Sequence, residues 1–85
     1  MQVKATIYIS LKPSVSDPQG LTVAQGLTQL GFKGIKSVKI GKHIEVTLNV
    51  SSIKQAKVDV TKMCLDLLSN PIIEDYNFDL TVINQ

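Results

Sequence analysis

Eighty-five residues carry nine lysines, no arginine and seven acids, a net charge of +2, which makes one domain and gives no electrostatic case for a nucleic-acid partner. Hydrophobic residues are 44% of the chain and charged residues 19%, which excludes a disordered polymer. Aromatics are only 5% with no Trp, too few for a platform on which bases would stack. A chain this short buries only about 60% of its unfolded surface, so its core is thin and invites completion by another copy or subunit.

The first element is a strand over about Gln2 to Leu11, where Val3, Ala5, Ile7, Ile9 and Leu11 alternate with more polar residues. Lys12-Pro13-Ser14-Val15-Ser16-Asp17-Pro18-Gln19-Gly20 ends that strand and starts a helix. Pro13 and Pro18 cannot both lie inside a regular element, because each fixes φ and lacks a donor. Asp17 followed by Pro18 reads as an N-cap and first helical residue: the carboxylate takes an orphan N–H, and proline has none to lose. Leu21, Ala24, Leu27 and Leu30 then recur at helix spacing up to Gly31, a residue suited to the left-handed turn after a helix.

Ile35 to Ile40 and His43 to Val50 flank Gly41-Lys42, which predicts a hairpin closed by a type II′ turn. The second helix is predicted from Ile53 to Ser69, opened by a Ser52/Gln55 capping box and stopped by Asn70-Pro71. Its apolar stripe is Ile53, Ala56, Val60, Met63, Cys64, Leu67 and Leu68. Ile72 to Asp75 is a connector, and Tyr76, Phe78, Leu80 and Val82 alternate into a last strand that either pairs within its own chain or is exchanged between copies.

This order predicts an α+β, ferredoxin-like βαββαβ domain spanning residues 1–85, an antiparallel sheet with both helices on one face. The opposite face should carry Lys4, Thr6, Tyr8, Ser10, Glu45, Thr47, Asn77, Asp79 and Thr81.

Catalytic chemistry finds little support. His43 is the one histidine and has no charge partner in sequence view. Cys64 lies in an apolar stripe, where a cysteine behaves as a small hydrophobe. No His, Cys and carboxylate residues fall at metal-ligand spacing, no glycine-rich phosphate loop is present, and Glu74 and Asp75 alternate to opposite faces of an extended chain. No basic segment precedes an apolar run at the N-terminus and no apolar stretch is long enough to span a bilayer, so a cytoplasmic protein without a membrane partner is expected.

Three stretches together resemble the PurS family, the small subunits of phosphoribosylformylglycinamidine synthase. They are Leu11-Lys12-Pro13 with Asp17-Pro18-Gln19-Gly20; Leu30-Gly31-Phe32 leading to Gly41-Lys42; and Met63-Cys64, Leu67-Leu68 and Asn70-Pro71-Ile72-Ile73-Glu74-Asp75-Tyr76. The resemblance implies a non-catalytic subunit of a complex in purine biosynthesis. In such a complex a PurQ-type glutaminase releases ammonia. A PurL-type synthetase, with ATP and Mg²⁺, uses it to convert formylglycinamide ribonucleotide to formylglycinamidine ribonucleotide. The small subunit would join the two and help ammonia pass, itself binding no cofactor and forming a homodimer or a dimer of dimers. Lys12, Pro13, Asp17, Pro18, Gln19 and Gly20, with Asn70, Pro71, Glu74, Asp75 and Tyr76, carry over as interface or structural residues, and no catalytic residue carries over. From fold alone, a stand-alone small-ligand-binding regulatory domain is the alternative.

Overall fold

A computed structural model describes residues 1–83 of the chain. The elements are β1 (Gln2–Leu11), α1 (Pro18–Gln29), β2 (Gly41–Asn49), α2 (Ile53–Met63) ending in a π-helical turn (Cys64–Leu68), and β3 (Glu74–Ile83). The strands form one antiparallel sheet in the order β2-β1-β3. The α+β class, an antiparallel sheet with two helices, is therefore the observed one.

β1 is central, and its inward residues Val3, Ala5, Ile7 and Ile9 are at most 1% exposed. Ala56, Val60 and Cys64, one turn apart on α2 and its π-helical turn, complete the fully buried set. Ile7 lies opposite Ile44 and Phe78, and Ala5 opposite Val46 and Leu80, so the inward face is apolar across all three strands. The outward face has the expected residues in register: Lys4 between Thr47 and Thr81, Thr6 between Glu45 and Asp79, Tyr8 between His43 and Asn77. β3 pairs with β1 from Leu11↔Glu74 to Gln2↔Ile83, so the last strand is held within its own chain.

Local chemistry sets the helix ends. Asp17 caps α1 with Pro18 at its first turn. At the other end Gly31 adopts φ +96°, the Phe32 N–H donates to the Leu27 carbonyl (3.1 Å) and the Gly31 N–H to that of Thr28 (3.0 Å), a Schellman closure. Ser52 Oγ accepts from the Gln55 N–H at 3.1 Å, but the Gln55 amide turns to Asp59 Oδ1 (2.8 Å), so half of the capping box forms. α2 is shorter than expected because its last turn widens: the Ser69 N–H and hydroxyl both donate to the Cys64 carbonyl, at 2.9 and 2.8 Å.

Two larger features also differ from the sequence expectation. The hairpin about Gly41-Lys42 does not form. Gly41 and Lys42 are the first residues of β2, opposite Ser10 and Ile9, and residues 35–40 make no ladder within the chain. Because β1 stops at Leu11, the segment before Gly41 runs past the end of its neighbour. Glycine at position 41 serves close approach and not a turn: a Cβ there would lie 2.7 Å from the Ile9 carbonyl oxygen.

The second difference concerns α1. The helix layer over the buried core is α2 alone; α1 buries only Gly20 and has no substantial contact with the sheet. The chain is accordingly long, with a radius of gyration of 16.7 Å and a longest dimension of 51 Å, whereas a compact chain of this length would have a radius of about 12 Å. Leu21, Val23, Leu30, Phe32, Ile35 and Ile40 are left exposed on this excursion.

With so few buried side chains, each one matters. Val60→Ala should destabilise the chain by about 2 kcal/mol, read as a lower urea midpoint with the slope of the transition unchanged.

Candidate functional site: two loops joined at one end of the sheet

The loop before α1 and the connector after α2 meet where β1 ends and β3 begins. The Lys12 N–H donates to the Ile73 carbonyl at 2.9 Å, which extends the β1–β3 pairing by one bond into both loops. Asn70 organises the connector: its carbonyl accepts from the Ile73 and Glu74 N–H groups (3.1 and 2.7 Å), and its side-chain oxygen from the Ile72 N–H (3.2 Å). Pro71 fits because nothing in this turn requires its missing donor.

Glu74 is the polar centre. It lies on the inward side of β3 with its side chain only 13% exposed. Oε1 accepts from the Asn70 N–H at 2.7 Å and Oε2 faces Lys42 Nζ at 3.7 Å. Lys12 and Asp75, 4.0 Å apart on the outward side, form a second and more exposed pair. An ion pair in water contributes at most about 1 kcal/mol, so the hydrogen-bonded and largely covered Glu74 is the stronger tie.

Asp17 ties two further segments together. Oδ1 accepts from the Gly20 N–H, the ordinary cap, and Oδ2 accepts from the Ile40 N–H, both at 2.9 Å. One carboxylate thus holds the start of α1 and the entry to β2 together. Gly20 makes room for this: a Cβ there would meet the Val38 carbonyl oxygen at 2.1 Å. The Ile40 amide first, then that of Gly20, holds the Asp17 carboxyl below the usual carboxylate range.

Around this pin lie two depressions. Ile9, Leu11, Asp17, Gln19, Lys42 and Glu74 border a small one of about 190 Å³. A wider apolar groove runs along α1 between Pro18, Thr22, Val23 and Ile40. Pro13 is exposed beside the Lys12–Val15 turn. Tyr76 stands apart from the other signature residues. Its ring turns toward the core and stacks on Phe78, centroids 6.4 Å apart and planes 5° from parallel. The two signature loops, not expected to share a site from their order in the chain, are brought together. Lys42, Val38 and Ile40 join them; the sequence had placed these residues in a hairpin.

The remaining reactive groups are elsewhere. Cys64 is fully buried and burial pushes its thiol up, the opposite of what a nucleophile needs. His43 sits on the outward sheet face, 5.2 Å from the Tyr8 ring and 3.5 Å from Glu45. Among the described residues no three His, Cys, Asp or Glu side chains are placed to hold a metal ion, and no helix is long and apolar enough to cross a membrane.

Three outcomes are expected. Gly20→Ala should displace residues 38–40 and increase amide exchange at Ile40, with a stability loss of about 1–3 kcal/mol as for other overpacked sites. A lowered carboxylate pKa gives stability that is present above its ordinary value of 3.8 and lost as pH falls through the folded value; Asp17→Asn should therefore flatten the acid limb of a stability-against-pH curve below about pH 4. Cys64 should react with a thiol reagent only in denaturant.

The model of the family described as PurS, phosphoribosylformylglycinamidine (FGAM) synthase, matches residues 4–82. The Synechocystis phosphoribosylformylglycinamidine synthase subunit PurS is 46% identical over 91% of this chain and 77% of its own. The crystal structure of Methanocaldococcus jannaschii PurS, one of the subunits of formylglycinamide ribonucleotide amidotransferase in the purine biosynthetic pathway, superposes with a TM-score of 0.85 at 36% identity, covering 96% of this chain and 99% of that one. A chain in the structure of PurLQS from Thermotoga maritima superposes with a TM-score of 0.86 at 28% identity, over 95% and 99% of the two chains. The pinned loops, the three-stranded sheet and these likenesses lead to one conclusion: the chain belongs to the PurS family of FGAM synthase subunits.

Proposed function

We propose that this chain is the assembly subunit of a PurLQS-type complex. It joins a PurQ-type glutaminase to a PurL-type synthetase and shields ammonia on its way between them. The observation that carries the reading is the superposition on a chain of the Thermotoga maritima PurLQS structure. The chemistry is divided accordingly. Glutamine hydrolysis needs an activated thiol, and the thiol here is buried with a raised pKa. Phosphoryl transfer needs a nucleotide pocket with metal carboxylates, so ATP and Mg²⁺ are assigned to the synthetase. Ammonia released into water is protonated and lost to the reaction, which gives a water-excluding subunit its purpose. The working compartment in this reading is the cytoplasm.

The shape supports a homo-oligomer as the working form. Ile44, Val46 and Leu48 face the core side of β2 yet remain half-buried, since their own α1 does not cover them. α1 and residues 30–40 carry the matching apolar surplus: Leu30 is 77% exposed and Phe32 56%. In a two-fold dimer the excursion of each copy covers the open half of the other's sheet, a self-complementary arrangement.

Reconstitution tests the first claim. Glutamine-dependent formation of formylglycinamidine ribonucleotide by the two larger subunits should require this chain, and full activity without it would overturn the reading. Sedimentation tests the second: the chain should be a dimer or larger at micromolar concentration, and Leu30→Lys with Phe32→Ser should shift it toward monomer.

A further inference from the structure

The outward side of α2 breaks the pattern of an amphipathic helix. Ala56, Val60 and Cys64 face the core, so the opposite side should be wholly polar. Instead Val58 and Leu65, two turns apart on that side, are 57% and 45% exposed. Thr61 and Lys62 lie between them at the intervening turn, and Lys57 flanks Val58. These five residues line a shallow groove of about 400 Å³. Two lysines border the groove and no carboxylate does. Lys57 and Lys62 have no ion-pair or hydrogen-bond partner among the described residues, and neither has Lys54 one turn before Val58. Of the two nearby acids, Asp59 is engaged by the Gln55 amide, and Asp66 lies beyond the groove at its C-terminal end.

We propose that this groove is the docking surface for a larger subunit of the complex, one that presents an apolar side chain between two or more carboxylates. The inference rests on the assembly reading above and assigns that contact to a face. Charge selects the occupant. A second copy of the same face would set Lys57 and Lys62 against lysines, a like-charge arrangement that costs free energy at an interface. An anionic bilayer would satisfy the lysines, but two aliphatic side chains give far less apolar face than an interfacial helix uses. An acidic-rimmed protein surface satisfies both features: its apolar residue seats between Val58 and Leu65 while its carboxylates meet the lysines. The groove lies on the far side of α2 from the sheet, so it stays open when the inner face of the sheet is covered by a second copy. One chain can then hold its own copy and a different subunit at once.

The test is titration of the full-length chain against the purified synthetase and glutaminase subunits, separately and together, by calorimetry or biosensor. Lys57→Glu with Lys62→Glu should weaken binding of one of the two at least tenfold, and Lys57→Gln with Lys62→Gln should weaken it less. Raising salt should weaken the unaltered chain more than the charge-neutral variant. Both variants should sediment as the unaltered chain does, because neither lysine contributes to the core. Tight binding by the unaltered chain with undiminished affinity in both variants would overturn the groove and leave the assembly role standing. No binding by the unaltered chain to either subunit, alone or together, would overturn both. Loss of self-association in the variants would also overturn the assignment, since it would make the face a contact between copies.

Discussion

The burial of β1 is the constraint on which the rest of the structure depends. It has a neighbour on each edge and α2 across one face, so it is the one strand whose inward residues are fully covered. Both of its hydrogen-bonding edges are used along their length. Residues 35–40, although strand-like in composition, lie beyond the point where β2 begins its pairing with β1 at Gly41 and make no ladder within the chain. The thin core and the long excursion have the same origin. One central strand and one helix are enough to hold the sheet, and the apolar residues left over stay exposed on the excursion.

The second constraint is the pin at the end of the sheet. Asp17 joins a helix start to a strand entry, and Glu74 on β3 joins the connector, through Asn70, to Lys42 on β2 across the central strand. These ties differ in kind. Glu74 is largely covered and held by the Asn70 N–H, with the more exposed Lys42 facing its other oxygen. Asp17 acts mainly through two backbone amides, which point at the carboxylate wherever the chain runs as it does here. Neither arrangement moves a proton or attacks a bond. Both tie the two loops into one surface at the end of the sheet.

How much of this was legible depended on whether the signal was local. The Asp17 cap, the Pro18 first turn, the Gly31 closure and the Ser52 cap are decided within four residues, and each is found where the sequence placed it. The alternation in β1, β2 and β3 also gave the correct inward and outward faces. Three things were not legible. Gly41-Lys42 resembles a hairpin turn because a glycine needed for backbone approach and a glycine needed for a turn look alike in sequence. The position of α1 was misread because helix spacing reports that an apolar stripe exists, not whether the sheet of its own chain covers it. The meeting of the two signature loops was hidden for a related reason: it follows from the antiparallel pairing of β1 with β3, which brings the end of one strand to the start of the other.

The Asp17–Ile40 bond has a consequence for how such a chain can change. Its two residues are 23 positions apart, and the bond closes the helix and arm between them into a loop that has no substantial contact with the sheet. The intervening helix and arm form a closed excursion whose length is independent of strand register. Adding or removing one turn of α1 would move the tip of the excursion by about 5.4 Å and leave the pin, the sheet and the α2 face unaltered. The reach of the molecule toward a neighbour can therefore drift through insertions and deletions while its fold stays the same.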